Sequence, residues 1–163
     1  MFLNTVTNHK IISFLKSVSI NNFQKENESE EYNACRFTVN NHRIVFRTAK
    51  ITPKKAGQFV TFWKRNPEKG IIEPFESNDP FDFFIIEVSN EQHDGIFLFP
   101  KPLLVEKRII SSPTKEGKRA LRVYPPWDEV ISNQARFTQS WQSKHFYSLT
   151  DSEQLNSLRS ILI

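Results

Sequence analysis

The sequence lacks the features that would place a protein in a membrane or an oxidising compartment. Cys35 is the single cysteine in 163 residues, so the chain cannot form an internal disulfide, which is typical of a reducing environment. No run of about 18 apolar residues occurs, the length that a membrane-spanning helix requires. Polar residues at positions 4, 5 and 7–9 interrupt the apolar segment that a signal peptide needs. We therefore predict a cytoplasmic protein without membrane contact.

The sequence also lacks a spacing typical of a metal site. Its histidines are too scattered to act together as ligands: His9, His42, His93 and His145. Asp82 and Glu87 flank an apolar stretch, as do the carboxylates that bind Mg²⁺ in PD-(D/E)xK nucleases. That motif requires a lysine two residues after the second acid, where this chain has Ser89. The sequence thus predicts no metal, no cofactor and no catalytic residue, and we expect DNA to remain uncut.

Aromatic residues, in contrast, are abundant. The chain contains 15 Phe, 3 Trp and 3 Tyr, enough to build a core, and a domain of this length buries roughly 70% of the surface of its extended chain. We therefore predict a single domain spanning residues 1–163. Trp63, Trp127 and Trp141 are expected in the core, with stacking on nucleobases as the alternative.

Charges of each sign are grouped along the chain, although the net charge of +4 is small. Residues 43–69 contain one acidic residue, Glu68, and eight basic ones: Arg43, Arg47, Lys50, Lys54, Lys55, Lys64, Arg65 and Lys69. Residues 73–94 carry acidic charges alone: Glu73, Glu76, Asp79, Asp82, Glu87, Glu91 and Asp94. Residues 101–122 are predominantly basic again. This grouping predicts one basic and one acidic face.

Apolar periodicity predicts an α+β fold. The spacing indicates an amphipathic helix over residues 6–20, a loop over 21–33, and strands over 36–40, 43–50, 57–65, 81–88, 95–99 and 117–124. Helices are expected over residues 132–146 and 150–162, the last with a capping box of Thr150 and Glu153. Alternation in strand 43–50 places Arg43 and Arg47 on a basic outer face. These elements predict a curved, mainly antiparallel sheet or pseudobarrel flanked by N- and C-terminal helices.

The stretch from residue 50 to 66 is the strongest candidate for function. Thr52 and Pro53 begin a turn that Gly57 ends, and an aromatic strand follows. Basic loops on a rigid sheet suit phosphate, which Lys and Arg bind, while the amide of Gln58 is placed to read a base edge. We predict duplex DNA as the partner, and leave the oligomeric state open. The predicted contact residues are Arg47, Lys50, Lys54, Lys55, Gln58, Lys64, Arg65, Lys101, Lys118 and Arg119.

Several segments resemble the MepB family. They are residues 47–53 (RTAKITP), 57–60 (GQFV), 63–66 (WKRN), 95–101 (GIFLFPK), 117–127 (GKRALRVYPPW) and 134–146 (QARFTQSWQSKHF). The resemblance extends from about residue 36 to 146. It implies a bacterial protein from a family that is associated with a multidrug-efflux gene cluster and has no settled activity. It also implies a cytoplasmic setting, but no reaction.

Two other functions remain compatible with the sequence. The protein could be an enzyme on a phosphate-bearing substrate, with a carboxylate such as Asp82 as base. It could instead be a protein-interaction module that docks a basic partner on the acidic segment 73–94. The simplest alternative to any binding role is a solvated basic face that keeps the protein soluble.

Overall fold

A computed structural model describes residues 9–163 of the chain. Its elements, in chain order, are α1 (His9–Ser17), β1 (Ile20–Lys25), β2 (Cys35–Val39), β3 (His42–Thr48), β4 (Lys50–Ile51), β5 (Gln58–Thr61), β6 (Trp63–Arg65), β7 (Ile72–Pro74), β8 (Phe83–Ser89), β9 (Asp94–Pro100), α2 (Lys101–Glu106), β10 (Ala120–Val123), α3 (Asn133–Gln142), β11 (Phe146–Ser148) and α4 (Ser152–Leu162). The predicted start of the first helix at residue 6 lies outside the described residues.

A six-stranded sheet forms the centre of the molecule, in the order β1-β2-β3-β8-β9-β11. Its strands pair antiparallel except for the parallel pair of β3 and β8. Asn40 adopts a left-handed φ of 55° in the tight turn between β2 and β3. Asparagine tolerates this conformation, which such hairpin turns require. The strand predicted over residues 81–88 is β8, which is buried on both faces and lies inside the sheet between β3 and β9.

The terminal helices cover one face of this sheet. Ile11, Phe14 and Leu15 of α1 pack with Leu158 and Leu162 of α4 against apolar side chains of β2, β3, β8 and β9. The side chain of Asp151 accepts a hydrogen bond from the Gln154 amide and caps α4. The N-cap is therefore Asp151 and not the predicted Thr150. An aspartate at this position accepts a hydrogen bond from one of the unpaired backbone N–H groups in the first turn of the helix.

A smaller sheet covers the opposite face, with the strand order β10-β5-β4. Val60, Leu121 and Val123 of this sheet belong to the same apolar cluster as Phe84 and Ile86 of β8. The outer edge of β10 is covered by a buried side chain of α3. There the Gln142 side chain accepts a hydrogen bond from the Tyr124 amide at 2.8 Å and donates one to the Arg122 carbonyl at 3.2 Å.

The predicted strand over residues 57–65 is divided at Phe62. This side chain is fully buried and stacks on Phe84, with ring centroids 3.9 Å apart and planes inclined by 14°. Packing of Phe62 turns the chain out of the small sheet, and β6 pairs with β7 in a separate hairpin. Tertiary packing here overrides a continuous run of strand-favouring residues.

The segment of residues 21–33, predicted as a loop, is a strand up to residue 25, and turns with one short 3-10 helix (Glu30–Tyr32) form the rest. Residues 20–25 form the edge strand β1, with an irregular register between Asn21 and Gln24. The α+β class, the mainly antiparallel sheet and the terminal helices are confirmed, and in the described part of the chain the sheet is open and does not close into a barrel. No helix within residues 9–163 is long and apolar enough to cross a membrane.

Candidate nucleic-acid interface

Residues 52–57 form a loop, called here the lysine loop, that is held at both ends. The Arg122 guanidinium donates to Thr52 Oγ1 at 2.9 Å, to the Ala56 carbonyl at 3.1 Å and to the Gly57 carbonyl at 3.3 Å. Asp128 Oδ2 accepts from the Gly57 amide at 2.9 Å. Three hydrogen bonds to the backbone and one to the Thr52 side chain, from β10 and the turn after it, therefore hold a loop that has no regular structure.

Gly57 is required for this loop geometry. It has a φ of +80°, and a Cβ atom there would lie 2.7 Å from the ring of Tyr124 and 2.9 Å from Arg122 Cγ. Other residues adopt such a φ at a cost, and the ring leaves no space for a methyl group. The loop therefore packs directly onto β10.

The lysine loop presents two neighbouring cations to solvent. Lys54, with a φ of +65°, and Lys55 are both exposed and form no ion pair with any residue between 9 and 163. Lys50 is exposed as well, and its Nζ lies 4.8 Å from the centre of the Tyr32 ring. Three of the predicted contact residues are thus exposed within residues 50–55.

Lys118 and Arg119 lie at the other end of the small sheet. They directly precede Ala120, the first residue of β10, which pairs with Thr61. The lysine loop lies at the opposite end of β10, next to the pair of Val123 and Gln58. The two groups are therefore separated by the length of β10, about 13 Å for four residues. Both side chains are exposed, and Arg119 pairs with Glu116 at 3.2 Å.

Arg47 is not at the surface, and its predicted contact with nucleic acid is wrong. The side chain is fully buried, 3.1 Å from the carboxylate of Glu26, and its guanidinium lies 5.7 Å from the ring centres of Phe75 and Phe84. Burial lowers the pKa of Arg47, and Glu26 opposes that shift. The alternation in β3 places Arg43 and Arg47 on one face, but the small sheet and its neighbours cover the half that contains Arg47.

Gln58 is also enclosed, so the structure corrects its assignment as a reader of bases. The residue is 2% exposed, and its Nε2 donates to the Ser89 carbonyl at 3.0 Å. Its Oε1 has no hydrogen-bond partner within the described part of the chain. The side chain connects the small sheet to the end of β8, which is a structural role.

Three further predicted cations are engaged within the protein. Lys64 Nζ lies 2.6 Å from Asp79 and 3.6 Å from both Glu73 and Glu76. Burial lowers the pKa of Lys64, but the hydrogen bond with Asp79 and the neighbouring carboxylates outweigh it and raise the pKa overall. Arg65 pairs with Glu28 through Nε at 2.5 Å. Such neutralised groups are poor phosphate ligands.

Lys101 is likewise turned inward. Its Nζ donates to the Asp79 carbonyl and lies 4.9 Å from the centre of the Phe81 ring. Burial lowers the pKa of its ammonium group, with Arg43 as the next cause. The side chain serves to join the start of α2 to the segment before β8.

The acidic segment 73–94 does not form a free acidic surface. Arg43 binds Asp82 with Nε at 3.2 Å, Nη2 at 3.0 Å and its backbone amide at 2.8 Å. The hydrogen bond from Arg43 holds the pKa of Asp82 below its ordinary value. Asp94 pairs with Lys10 at 2.9 Å. Together with the acids around Lys64, these pairs engage most carboxylates of the segment within the protein.

Asp82 and Glu87 cannot share a metal ion. They are five residues apart along an extended segment, about 16 Å, and alternate residues of a strand face opposite sides. Glu87 is buried and accepts a hydrogen bond from Thr48 Oγ1 at 2.9 Å. Burial raises its pKa from an ordinary 4.5 to about 7, a shift that Thr48 opposes and Asp94 reinforces. The carboxylates therefore have separate environments and roles.

Sequence reasoning misses two features beside the lysine loop. Arg122 anchors the loop, although nothing in its local pattern distinguishes it from other cations on a strand. His93 stacks on Trp127, with ring centroids 4.8 Å apart and planes inclined by 9°. His93 and Trp127 are 34 positions apart in the sequence, so no local pattern could have paired them.

This fold and these segments define a known class of protein. Residues 26–148 match the model of the MepB-like family, and the chain belongs to that family. The crystal structure of MepB is 33% identical, with a TM-score of 0.80 over 90% of this chain and 100% of that one. A bacterial homing endonuclease, 15% identical, has a TM-score of 0.43 over 80% of this chain and 82% of its own. No curated protein matches the chain.

Proposed function

We propose that this protein binds nucleic acid, duplex DNA included, through phosphate contacts of the lysine loop. The observation that carries the proposal is the pair of exposed cations, Lys54 and Lys55, on a backbone fixed by Arg122 and Asp128. An ammonium group acts as a point charge on phosphate. Because the loop is already ordered, binding does not incur the full entropy cost of fixing it.

The distribution of the remaining cations supports a ligand with repeated negative charges. Lys118 and Arg119 lie about 13 Å from the lysine loop along β10. This separation is comparable with the width of the major groove of DNA, about 12 Å. One duplex could therefore contact both groups through phosphates that border the groove.

Fluorescence anisotropy with labelled duplex DNA at several salt concentrations tests the proposal. Counterion release predicts a log–log slope of about −0.9 for each phosphate contacted, so several contacts give a slope of roughly −3 or steeper. The double substitution Lys54→Ala/Lys55→Ala should weaken binding to all sequences alike and flatten the slope by about one to two.

A matched control removes the same charge elsewhere. Lys16, on α1, and Lys69, in the turn between β6 and β7, are exposed and lie outside the lysine loop. Lys16→Ala/Lys69→Ala should retain the affinity and the slope of the unsubstituted protein. Equal losses in the two double variants would show that only net charge matters, and absence of binding at low salt would overturn the proposal.

A further inference from the structure

A rigid aromatic stack lies at the surface next to the lysine loop. The imidazole of His93 lies parallel to the indole of Trp127, with centroids 4.8 Å apart. His93 is exposed, whereas Trp127 is half-buried. Because the indole covers one face of the imidazole and His93 is nevertheless exposed, the opposite face is the one that a ligand would reach.

The stack is held from both sides. Asn90 Oδ1 accepts from the His93 backbone amide at 2.7 Å and lies 3.2 Å from His93 Nδ1. Behind the indole, Phe146 contacts Trp127 edge-on at 5.6 Å and 80°. Phe146 in turn packs so closely on Gly95 that a Cβ there would lie 2.3 Å from its ring. An exposed imidazole is thus fixed in one orientation, which is the arrangement that a stacking ligand requires.

Two hydrogen bonds connect the segments that carry this stack to the last residue of the lysine loop and to Gln58, which follows it. Asp128, next to Trp127 in the chain, accepts from the Gly57 amide at 2.9 Å. Gln58 donates to the carbonyl of Ser89, which directly precedes Asn90. The segments that carry His93 and Trp127 are therefore bonded directly beside the C-terminal end of the lysine loop.

The charges around the stack favour a base over a phosphate at this position. Glu91 is exposed in the same turn as His93, and a carboxylate repels phosphate at close range. A nucleobase presents a neutral π-face and stacks on aromatic side chains with little dependence on sequence. Bases within a duplex already stack on each other, so an unpaired base is the one that can reach His93.

We propose that His93 and Trp127 form a stacking site for an unpaired nucleobase whose flanking phosphates contact Lys54 and Lys55. This inference rests on the proposed function and specifies its ligand class. The ligand is a nucleic acid with a single-stranded segment, such as an overhang or a gap. The lysine loop binds phosphates of any form, and the stack adds affinity for the unpaired base.

The test compares three DNA probes in anisotropy titrations at fixed salt. One is a blunt duplex, one carries a short thymine overhang, and one carries an abasic overhang of equal length. The last two have the same phosphates and differ only in their bases. The thymine overhang should bind at least about five-fold more tightly than the abasic one, the gain that one stacked base at the low end of measured values gives.

His93→Ala should abolish the difference between thymine and abasic overhangs while leaving the blunt duplex unaffected. His42→Ala is the matched control, because His42 contacts Phe83 edge-on at the start of β3 and lies away from the lysine loop. A second readout is fluorescence of Trp127 in the variant Trp63→Phe/Trp141→Phe, where the thymine overhang should quench emission more than the abasic overhang.

The outcomes separate the two proposals. Equal binding of thymine and abasic overhangs overturns the stacking site while phosphate binding stands. A His93→Ala variant that weakens all three probes equally also overturns it, because stacking would then not be involved. If no probe binds the unsubstituted protein, both the stacking site and the proposed function fail.

Discussion

Arg47 and Glu87 are charged side chains that the central sheet encloses, and each has a different way of tolerating burial. Arg47 keeps its charge beside Glu26 and two aromatic rings. Glu87 has one hydrogen bond, from Thr48, and its Oε2 has no partner among residues 9–163. Its pKa of about 7 follows mainly from burial, so this carboxyl group exchanges its proton near neutral pH.

The pH dependence of the free energy of unfolding should reveal the titration of the Glu87 carboxyl group. The folded protein binds a proton at Glu87 more tightly than the unfolded chain, so stability falls as pH rises from about 4.5 to about 7 and then levels. Glu87→Gln removes this loss. We expect the variant to be more stable than the unsubstituted protein above pH 7, by at most about 3 kcal/mol.

Urea unfolding at a series of pH values measures this difference. Glu91→Gln is the control, since Glu91 is exposed on the same β8–β9 hairpin, and it should leave the pH profile unchanged. A difference between Glu87→Gln and the unsubstituted protein that does not vary from pH 4 to 8 would show that Glu87 does not titrate in this range.

Arg47 should contribute to stability and not to binding. Glu26→Ala leaves the guanidinium buried without its carboxylate, and breaking a buried ion pair costs about 3–5 kcal/mol. Replacing both residues, as Glu26→Leu/Arg47→Met, should recover most of that loss because no charge is left unpaired. Urea unfolding checks both values, and the folded double variant should bind DNA as the unsubstituted protein does.

These two residues show the limit of sequence reasoning at the residue scale. Alternation correctly predicts that Arg43 and Arg47 share a face of β3, but it does not show which half of that face is covered. Coverage depends on Glu26, 21 positions away, and on Phe75, 28 positions away. The prediction for Gln58 is wrong for the same reason, because its environment depends on a residue remote in sequence. The Gln58 side chain donates a hydrogen bond to the carbonyl of Ser89 in β8.

At the scale of elements, the sequence predicts the strands with strong apolar patterns. The predicted positions of β2, β3, β8 and β9 agree with the structure to within a few residues, because burial alternates along β2 and runs through four or five consecutive residues in each of the others. The pattern does not predict β1, since its sequence INNFQK is largely polar and its pairing with β2 stabilises it as an edge strand. The sequence predicts the lysine loop as a turn, but its anchors Arg122 and Asp128 are remote in sequence.

Gly57 gives a direct test of the loop geometry. Gly57→Ala forces a side chain into the left-handed region and against Tyr124, and we expect a loss of about 1–3 kcal/mol together with weaker DNA binding. Gly70→Ala is the control, because Gly70 has a similar φ of +67° but no described atom lies within 4 Å of where its Cβ would be. Thermal unfolding should show a larger loss of stability for Gly57→Ala than for Gly70→Ala. Equal losses would mean that the Tyr124 ring moves to accommodate the methyl group.

For the whole molecule, the charge grouping seen in the sequence is largely cancelled by folding. Cations of residues 43–65 pair with the acids that follow them: Arg43 with Asp82, and Lys64 with Glu73, Glu76 and Asp79. These pairs reduce the free charge of the acidic face that the grouping predicts. Among residues 43–65, folding leaves Lys50, Lys54 and Lys55 exposed and without an ion pair to any described residue, so the partners of these charges matter more than their number.

The same arrangement predicts that the protein does not cut DNA through these carboxylates. Asp82 is occupied by Arg43, and Glu87 lies about 16 Å away on the other side of the strand. Incubation of supercoiled DNA with the protein and Mg²⁺ or Mn²⁺ should leave it intact on an agarose gel. Nicking that Asp82→Ala abolishes would contradict this prediction.

The amide of Gln142 has a consequence for the behaviour of the protein in concentrated solution. It occupies the two backbone groups of Tyr124 and Arg122 that a further strand would use, and exposed strand edges are templates for aggregation. Gln142→Ala should free that edge and promote association of β10 with copies of itself. Static light scattering at increasing protein concentration would detect this, and Gln134→Ala, an exposed position on the same helix, should remain dispersed.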